Sequence, residues 1–251
     1  MNPLAASSIV FACLVVGTLS GLQLRTVLPS HHLSEQSKDT IKLTAGLIGT
    51  MVALILGLLV ASAKSFFDTQ SAELTQMAAQ VVILDRILAH YGPETKRARD
   101  LVYSSTGRIL ERQWSQSASN TSSSVDPSFN AESLAEAILQ LSPQNEIQRS
   151  LRQNAISTMY DLGQRRWLMY EQTVGGLPRP LLIVLVVWLT LLFVSFGLLA
   201  TPNATALTSL FLAAMSVSGA ILMILEMYSP YQGLIEVSRE PLRVALLHLG
   251  R

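Results

Sequence analysis

Side chains that carry most enzymatic and metal chemistry are scarce in this sequence. Its 251 residues include one cysteine, Cys13, and four histidines, and only 14% of them are Asp, Glu, Lys or Arg. A single cysteine permits neither an intrachain disulfide nor a cysteine-based metal cluster. The adjacent His31 and His32 have no further His, Cys or acidic cluster at ligand spacing. We therefore expect no metal site and no cofactor.

Sequence motifs of catalysis and nucleotide binding are also missing. The chain contains no G-x-G-x-x-G, Walker A, H-E-x-x-H or G-x-S-x-G pattern. One acidic pair at i, i+4, Glu132 and Glu136, lies on a helix face that we predict to be solvated. The formal net charge is +1, so the chain has no strong field for nucleic acid. We therefore assign no catalytic residue. We expect that the protein is not an enzyme and does not bind nucleic acid.

Long apolar runs are what this chain has in abundance, since 49% of its residues are hydrophobic. Four runs occupy residues 4–24, 41–63, 180–200 and 206–225. Each has about the 20 residues that a helix needs to cross a hydrocarbon core of about 30 Å. The sequence therefore predicts an all-α membrane protein with four transmembrane helices.

The polar and amphipathic segments divide the chain further. Residues 64–179 have helical periodicity, interrupted at 115–128 by a low-complexity polar stretch that predicts a mobile loop. We predict a first transmembrane pair in residues 1–63 and a second transmembrane hairpin in 180–225. A cytoplasmic helical bundle, 64–179, is inserted between the second and third spans, and a cytoplasmic tail, 226–251, ends the chain.

The distribution of basic residues predicts the orientation in the membrane. Four spans place the N-terminus, residues 64–179 and the tail on one side, which then holds fifteen of the 18 Lys and Arg. Basic residues near span ends favour the cytoplasmic side. We expect an integral protein of a bacterial inner membrane, with both termini and residues 64–179 in the cytoplasm. Its expected partners are the lipid bilayer and further copies of itself.

The second span carries a small side chain at every fourth position. These residues are Ala45, Gly49, Ala53, Gly57 and Ala61. Small residues allow close approach of another helix in a membrane, so we predict a helix-packing ladder. Each four-residue step turns about 40° beyond a full turn, so the ladder spirals and suits a right-handed crossing or two neighbours.

A stripe of larger apolar residues occupies the opposite face of the same span. It consists of Leu47, Met51, Leu54 and Leu58. Two interpretations remain open from the residues alone. The stripe could face lipid, or it could form an apolar constriction of a pore that gates by dewetting.

The second span has no stop signal, because no proline interrupts residues 41–91. Beyond Lys64 an apolar stripe at 3–4 spacing continues from Phe67 to Tyr91, with Gln70 as its polar break. We predict one helix of about 75 Å that leaves the membrane and packs against partner helices.

Glu226 is the one acidic residue that adjoins an apolar run. Ionisable residues in membrane segments are functional candidates by default, although a carboxylate at a span end can also reach the interface. Glu226 is therefore either a functional carboxylate, in coupling or ion contact, or an interface anchor.

The order of these elements, together with several residues, resembles the bestrophin-like family of uncharacterised bacterial and plant membrane proteins. The resemblance rests on Glu73 with the following stripe Leu74–Leu88, on the pair Arg165-Arg166, and on residues 177–198 and 225–243 (LPRPLLIVLVVWLTLLFVSFGL and LEMYSPYQGLIEVSREPLR). In the last stretch Glu226, Pro230, Gly233, Val237-Ser238 and Pro241-Leu242 match the family pattern. Tyr228 stands where an aspartate is expected, and Tyr231 where a phenylalanine is usual.

The resemblance implies a distant relation to bestrophins, which are pentameric anion channels whose second span lines a narrow apolar neck. Residues 41–63 would then line a pore, and the continuing helix would extend its vestibule. We therefore expect a membrane protein that acts as an oligomeric ion channel, with the second span near the central axis. The alternative is a membrane-anchored scaffold or signalling protein whose cytoplasmic bundle binds protein partners.

Overall fold

The fold is known from a computed structural model, which describes residues 2–29, 34–115, 131–175, 179–231 and 233–250. Every regular element within these ranges is helical. The helices are α1 (Pro3–Val27), α2 (Glu35–Tyr91), α3 (Lys96–Ser115), α4 (Ala131–Leu139), α5 (Glu146–Gly175), α6 (Arg179–Leu199), α7 (Ala204–Met227) and α8 (Glu240–His248). A short 3₁₀ turn, Pro93–Thr95, precedes α3.

Four of these helices, α1, α2, α6 and α7, are long and apolar enough to cross a membrane. The prediction of an all-α protein with four candidate membrane helices is thereby confirmed. His31, His32 and most of the predicted loop, residues 116–128, lie outside the described residues.

Local signals at the helix ends explain where the spans start and stop. Asn2 caps α1 by accepting a hydrogen bond from Leu4 N at 3.2 Å, and Asn203 caps α7 by accepting one from Ala206 N at 2.8 Å. Helix α2 ends at Tyr91, where the next residue, a glycine, has φ of 137°. The prediction of one uninterrupted helix over residues 41–91 is confirmed by α2, which begins earlier along the chain.

The helices group into two compact units. The first unit contains the described residues of 1–65 and 177–228, which include α1, the first part of α2, α6 and α7. The second unit contains the described residues of 66–176 and 229–251, which include the rest of α2, α3, α4, α5 and α8. Each unit has an apolar core of its own.

In the first unit α1 packs against both α6 and α7. Buried leucine and isoleucine side chains from all four spans form its core, among them Leu14, Leu59, Leu185 and Ile221. Phe11 of α1 meets Phe211 of α7 edge to face, with ring centroids 5.4 Å apart.

In the second unit the stripe predicted along α2 is the main core element. Leu74, Leu84 and Leu88 are at most 1% exposed. Gln70, the expected polar break, is also fully buried, so it belongs to the packed face and needs hydrogen-bond partners there. Ile138 of α4 packs with the later part of the stripe.

Candidate functional site

The apolar stripe on the second span is exposed in the single chain. Leu47, Met51, Leu54 and Leu58 are 61%, 44%, 75% and 61% exposed. Four exposed apolar side chains along one helix face form a surface that lipid or a further protein chain must cover.

Inside the chain, α2 packs through a different set of residues. Ala45, Val52, Leu59 and Ala63 are buried in the core of the first unit. Because successive residues turn by about 100° on a helix, these four lie on one side of α2 and the exposed stripe lies on the other. The span is therefore packed on one side only.

The predicted small-residue ladder runs from the packed side to the exposed side. Its first member, Ala45, is buried, Gly49 is half-buried, and Ala53, Gly57 and Ala61 are exposed. A Cβ atom placed at Gly49 or Gly57 would meet no other atom within 4 Å. In the described part of the chain no helix occupies the space in front of these two glycines. An interface along the ladder remains a prediction.

Close helix packing inside the chain is instead made by glycines of α1 and α6. A Cβ at Gly21 would lie 2.8 Å from Leu198 N, and one at Gly197 would collide with Thr18 O. Only glycine permits this approach between the two backbones. Gly17 and Gly21 have the small-xxx-small spacing, so the rule applied to residues 41–63 would have found them too.

Glu226 lies in the last turn of α7 and is only 2% exposed. Its neighbours Ile224 and Leu225 belong to the core of the first unit. At the same end of α7, the hydroxyl oxygens of Tyr228 and Ser62 lie 3.0 Å apart, which joins α7 to α2. A functional role for the Glu226 carboxylate remains a prediction.

Residues that carry the family resemblance meet in the second unit around α2. Arg165 Nη1 donates to Glu73 Oε2 at 3.2 Å and to Gln76 Oε1 at 2.5 Å. Tyr231 donates its hydroxyl proton to Gln70 Oε1 at 3.1 Å. Burial raises the pKa of Tyr231, so this hydroxyl stays a neutral donor at physiological pH.

The segment after α7 is held against the same part of α2. Val237 N donates to Pro230 O at 2.8 Å, which closes the loop that leads to α8. Val237 and Leu242 are at most 2% exposed and share an apolar cluster with Leu74 and Met169. Val237 and Leu242, two of the matching residues of the post-span stretch, thus pack α8 and the segment before it against α2 and α5.

A buried ion pair in the second unit was not expected from the sequence. The carboxylate of Asp85, in the middle of the α2 stripe, is 2% exposed and accepts from Arg99 Nε at 2.7 Å and from Nη2 at 3.0 Å. Its hydrogen bond raises the pKa of Arg99. Gly250 N also donates to Asp85 at 3.4 Å. The sequence signal that could have indicated this pair is a single acidic residue, Asp85, within the apolar stripe between Leu84 and Leu88.

The fold and these sites define a class, an integral membrane protein of four apolar helices with a second helical unit. In the described part of the chain no cluster of three His, Cys, Asp or Glu could hold a metal ion. Residues 12–242 match the family model of the Bestrophin-like domain. The chain belongs to the Bestrophin-like family.

The fold is similar to a solved structure of a bacterial bestrophin homologue from Klebsiella pneumoniae that carries a point mutation. The TM-score is 0.63 at 12% sequence identity, and the match covers 95% of this chain and 97% of that one. At this identity the similarity concerns the fold. A search of curated proteins found no match.

Proposed function

We propose that the protein forms an oligomeric anion channel in which α2 lies nearest to the central axis. One observation carries this proposal. Only 17% of the most apolar window of α2 is buried within the chain, the lowest share of the four spans, against 22% for α7, 28% for α6 and 39% for α1. A helix so lightly packed, in a family related to anion channels, suits a position where several copies meet.

The exposed stripe supplies a candidate constriction. Leu54 and Leu58 are one turn apart and project away from the packed side of α2. When several copies place such side chains around one axis, the narrow apolar ring excludes water and blocks ions until it widens. Leu47 and Met51 extend this ring towards the N-terminal end of the span.

The small-residue ladder supplies a candidate contact between neighbouring copies. Ala53, Gly57 and Ala61 are exposed beside the stripe rather than beneath it, because each four-residue step turns by about 40°. A neighbouring helix could therefore approach α2 closely while the stripe still faces the axis.

The topology and the carboxylate complete the proposal. Basic residues near the span ends support a cytoplasmic location for both termini and for residues 64–179 of a bacterial inner-membrane protein. Glu226 would then lie at the cytoplasmic end of α7. There its buried carboxylate is placed to couple movement of the span to the segment that follows it.

The test is anion flux from liposomes that contain the purified full-length protein, together with its native mass in detergent. We expect flux from an oligomer of several copies. Leu54→Ser should increase that flux several-fold, towards about tenfold, because it removes about 2 kcal/mol of apolar side chain from the ring. The matched control is Leu191→Ser on α6, where the side chain is 50% exposed.

A monomer or dimer without flux would contradict the channel. Equal effects of Leu54→Ser and Leu191→Ser would contradict the assignment of the stripe to the pore.

Exposed apolar residues in the second unit favour a second candidate function, a membrane-anchored scaffold. On α5, Tyr160 and Trp167 are 65% and 53% exposed and lie on the same side of the helix. Such a surface suits binding of a protein partner. The scaffold would be supported if the protein gave no anion flux but bound a soluble protein partner through α5. Trp167→Ala should then abolish binding of that partner.

A further inference from the structure

A groove lies between α1 and α7 on the surface of the first unit. Two adjoining cavities of about 220 Å³ and 150 Å³ form it, and both are lined by Leu207 and Leu210 of α7. The α1 wall includes Leu19 and Leu22. Because α1 and α7 are both candidate membrane spans, the groove runs at the depth of the hydrocarbon core.

The walls of the groove are suited to an apolar chain. The hydroxyl of Thr18, the polar side chain of the α1 wall, donates to Leu14 O at 3.0 Å and is thus satisfied within its own helix. Phe211, which lines the groove, packs edge to face against Phe11 of α1. A ligand in the part of the groove between Leu19 and Phe211 therefore meets mainly apolar side chains.

The opposite end of the groove meets a cation. Its lining there comes from the turn between α6 and α7, including Ala200, Thr201 and Asn203. Arg25, in the last turn of α1, donates from Nη1 to Ala200 O. Among the described residues no carboxylate pairs with Arg25. A guanidinium has five N–H donors, so Arg25 retains donors for an anion at the membrane interface.

We propose that a phospholipid with a net negative headgroup binds here, its acyl chain in the α1–α7 groove and its phosphate at Arg25. An apolar slot that ends at a guanidinium without a carboxylate partner among the described residues complements a molecule with a long apolar chain and an anionic end. The site is formed within one chain and does not depend on ion conduction.

The experiment is a native mass spectrometry titration of the full-length protein in detergent. Phosphatidylglycerol and phosphatidylcholine with identical acyl chains are compared, and the first binding event per chain is measured. We expect phosphatidylglycerol to bind several-fold more tightly. Arg25→Gln should weaken phosphatidylglycerol about tenfold, which is about 1.4 kcal/mol, and remove the preference between the two lipids.

Variants of the walls test the groove separately from the charge. Leu207→Trp fills the groove and should weaken both lipids, whereas Leu212→Trp lies outside the lining on the same helix. The two leucines are 48% and 51% exposed, so they are matched. Leu19→Trp, from the α1 wall and also 48% exposed, repeats the test should Leu207→Trp fail to fold. Lys42→Gln is the control for loss of a charge elsewhere.

Four outcomes would overturn the proposal. Equal affinity for both lipids in the unchanged protein, or equal losses in Arg25→Gln and Lys42→Gln, would remove the role of Arg25. Equal binding by the groove variants and Leu212→Trp would remove the groove. Dissociation of the oligomer by Leu207→Trp but not by Leu212→Trp would show that a second copy of the chain fills the groove.

Discussion

Single residues determine how the second unit holds its helices together. Asp85 sits in the middle of an apolar stripe, yet it is almost completely buried because Arg99 of α3 binds both carboxylate oxygens. The backbone N–H of Gly250 reaches the same carboxylate. One acidic side chain thus connects α2, α3 and the segment after α8.

Arg99→Met should destabilise the protein strongly. The change leaves the Asp85 carboxylate buried without its cation, and loss of one partner from a buried pair costs about 3–5 kcal/mol. Arg99 is itself 23% exposed, so we expect about 3 kcal/mol, or roughly 6–12 °C in the unfolding temperature for a chain of this size. Thermal unfolding of the full-length protein in detergent measures this shift in the unfolding temperature.

The matched control for this change is the exposed pair of Arg149 and Glu146, whose side chains are 65% and 83% exposed. Arg149→Met should cost less than about 1 kcal/mol because water screens the pair. Equal shifts for Arg99→Met and Arg149→Met would show that the Asp85 pair contributes no more than a surface pair.

At the scale of elements, the backbones of α1 and α6 approach each other very closely in the first unit. Gly17, Gly21 and Gly197 bring the two backbones together. Lipid removes the hydrophobic drive between spans, so close van der Waals contact is what holds them. Among the described residues the glycines of α2 lack this role, since a Cβ at Gly46, Gly49 or Gly57 meets nothing within 4 Å.

Gly21→Ala should therefore destabilise the first unit. Its new methyl group would collide with Val194 O and lie 2.8 Å from Leu198 N, neither of which can move without its helix. We expect a cost at the upper end of the about 1–3 kcal/mol that overpacking carries. Thermal unfolding in detergent again provides the measurement.

Gly57→Ala is the control for this helix contact. It adds the same methyl group to a span where the space is open, and alanine favours a helix over glycine by roughly 0.5–1 kcal/mol. A neutral or slightly stabilised Gly57→Ala is the expected result. If Gly21→Ala were equally neutral, that result would contradict the close packing of α1 against α6 at Gly21.

At the scale of the whole molecule, the ladder on α2 can be tested through assembly. A Cβ at Gly57 meets no atom within 4 Å in the described part of the chain, so a loss of the oligomer in Gly57→Leu would report on a contact between copies. We expect Gly57→Leu to shift the native mass towards the single chain while the unfolding temperature of that chain stays the same.

Gly219→Leu on α7 is the matched control, because a Cβ there also meets nothing within 4 Å and lies outside the ladder. An oligomer that survives Gly57→Leu, or is lost equally in Gly219→Leu, would place the subunit contact elsewhere.

The kind and the length of the helices could be predicted from the sequence because they depend on the chemistry of neighbouring residues. Apolar length predicts spans, and the absence of proline predicts the uninterrupted helix now seen as α2 (Glu35–Tyr91). The stripe from Leu74 to Leu88 was predicted as a packing face for the same reason, since a 3–4 spacing places residues on one side of a helix. Family membership was also foreseen, on residues such as Glu73 and Arg165 that the structure joins by an ion pair.

The sequence by itself determined a helical membrane protein with four spans, because hydropathy and helical period depend only on the order of residues. Only the tertiary structure decided which small residues make contacts. Gly17 and Gly57 sit in similar patterns, but α6 faces the first and open space faces the second. Likewise Asp85 and Glu132 are both acids on helices, but among the residues that the structure describes the fold brings an arginine only to Asp85. Pairing across helices depends on where distant segments meet, and no local pattern contains that information.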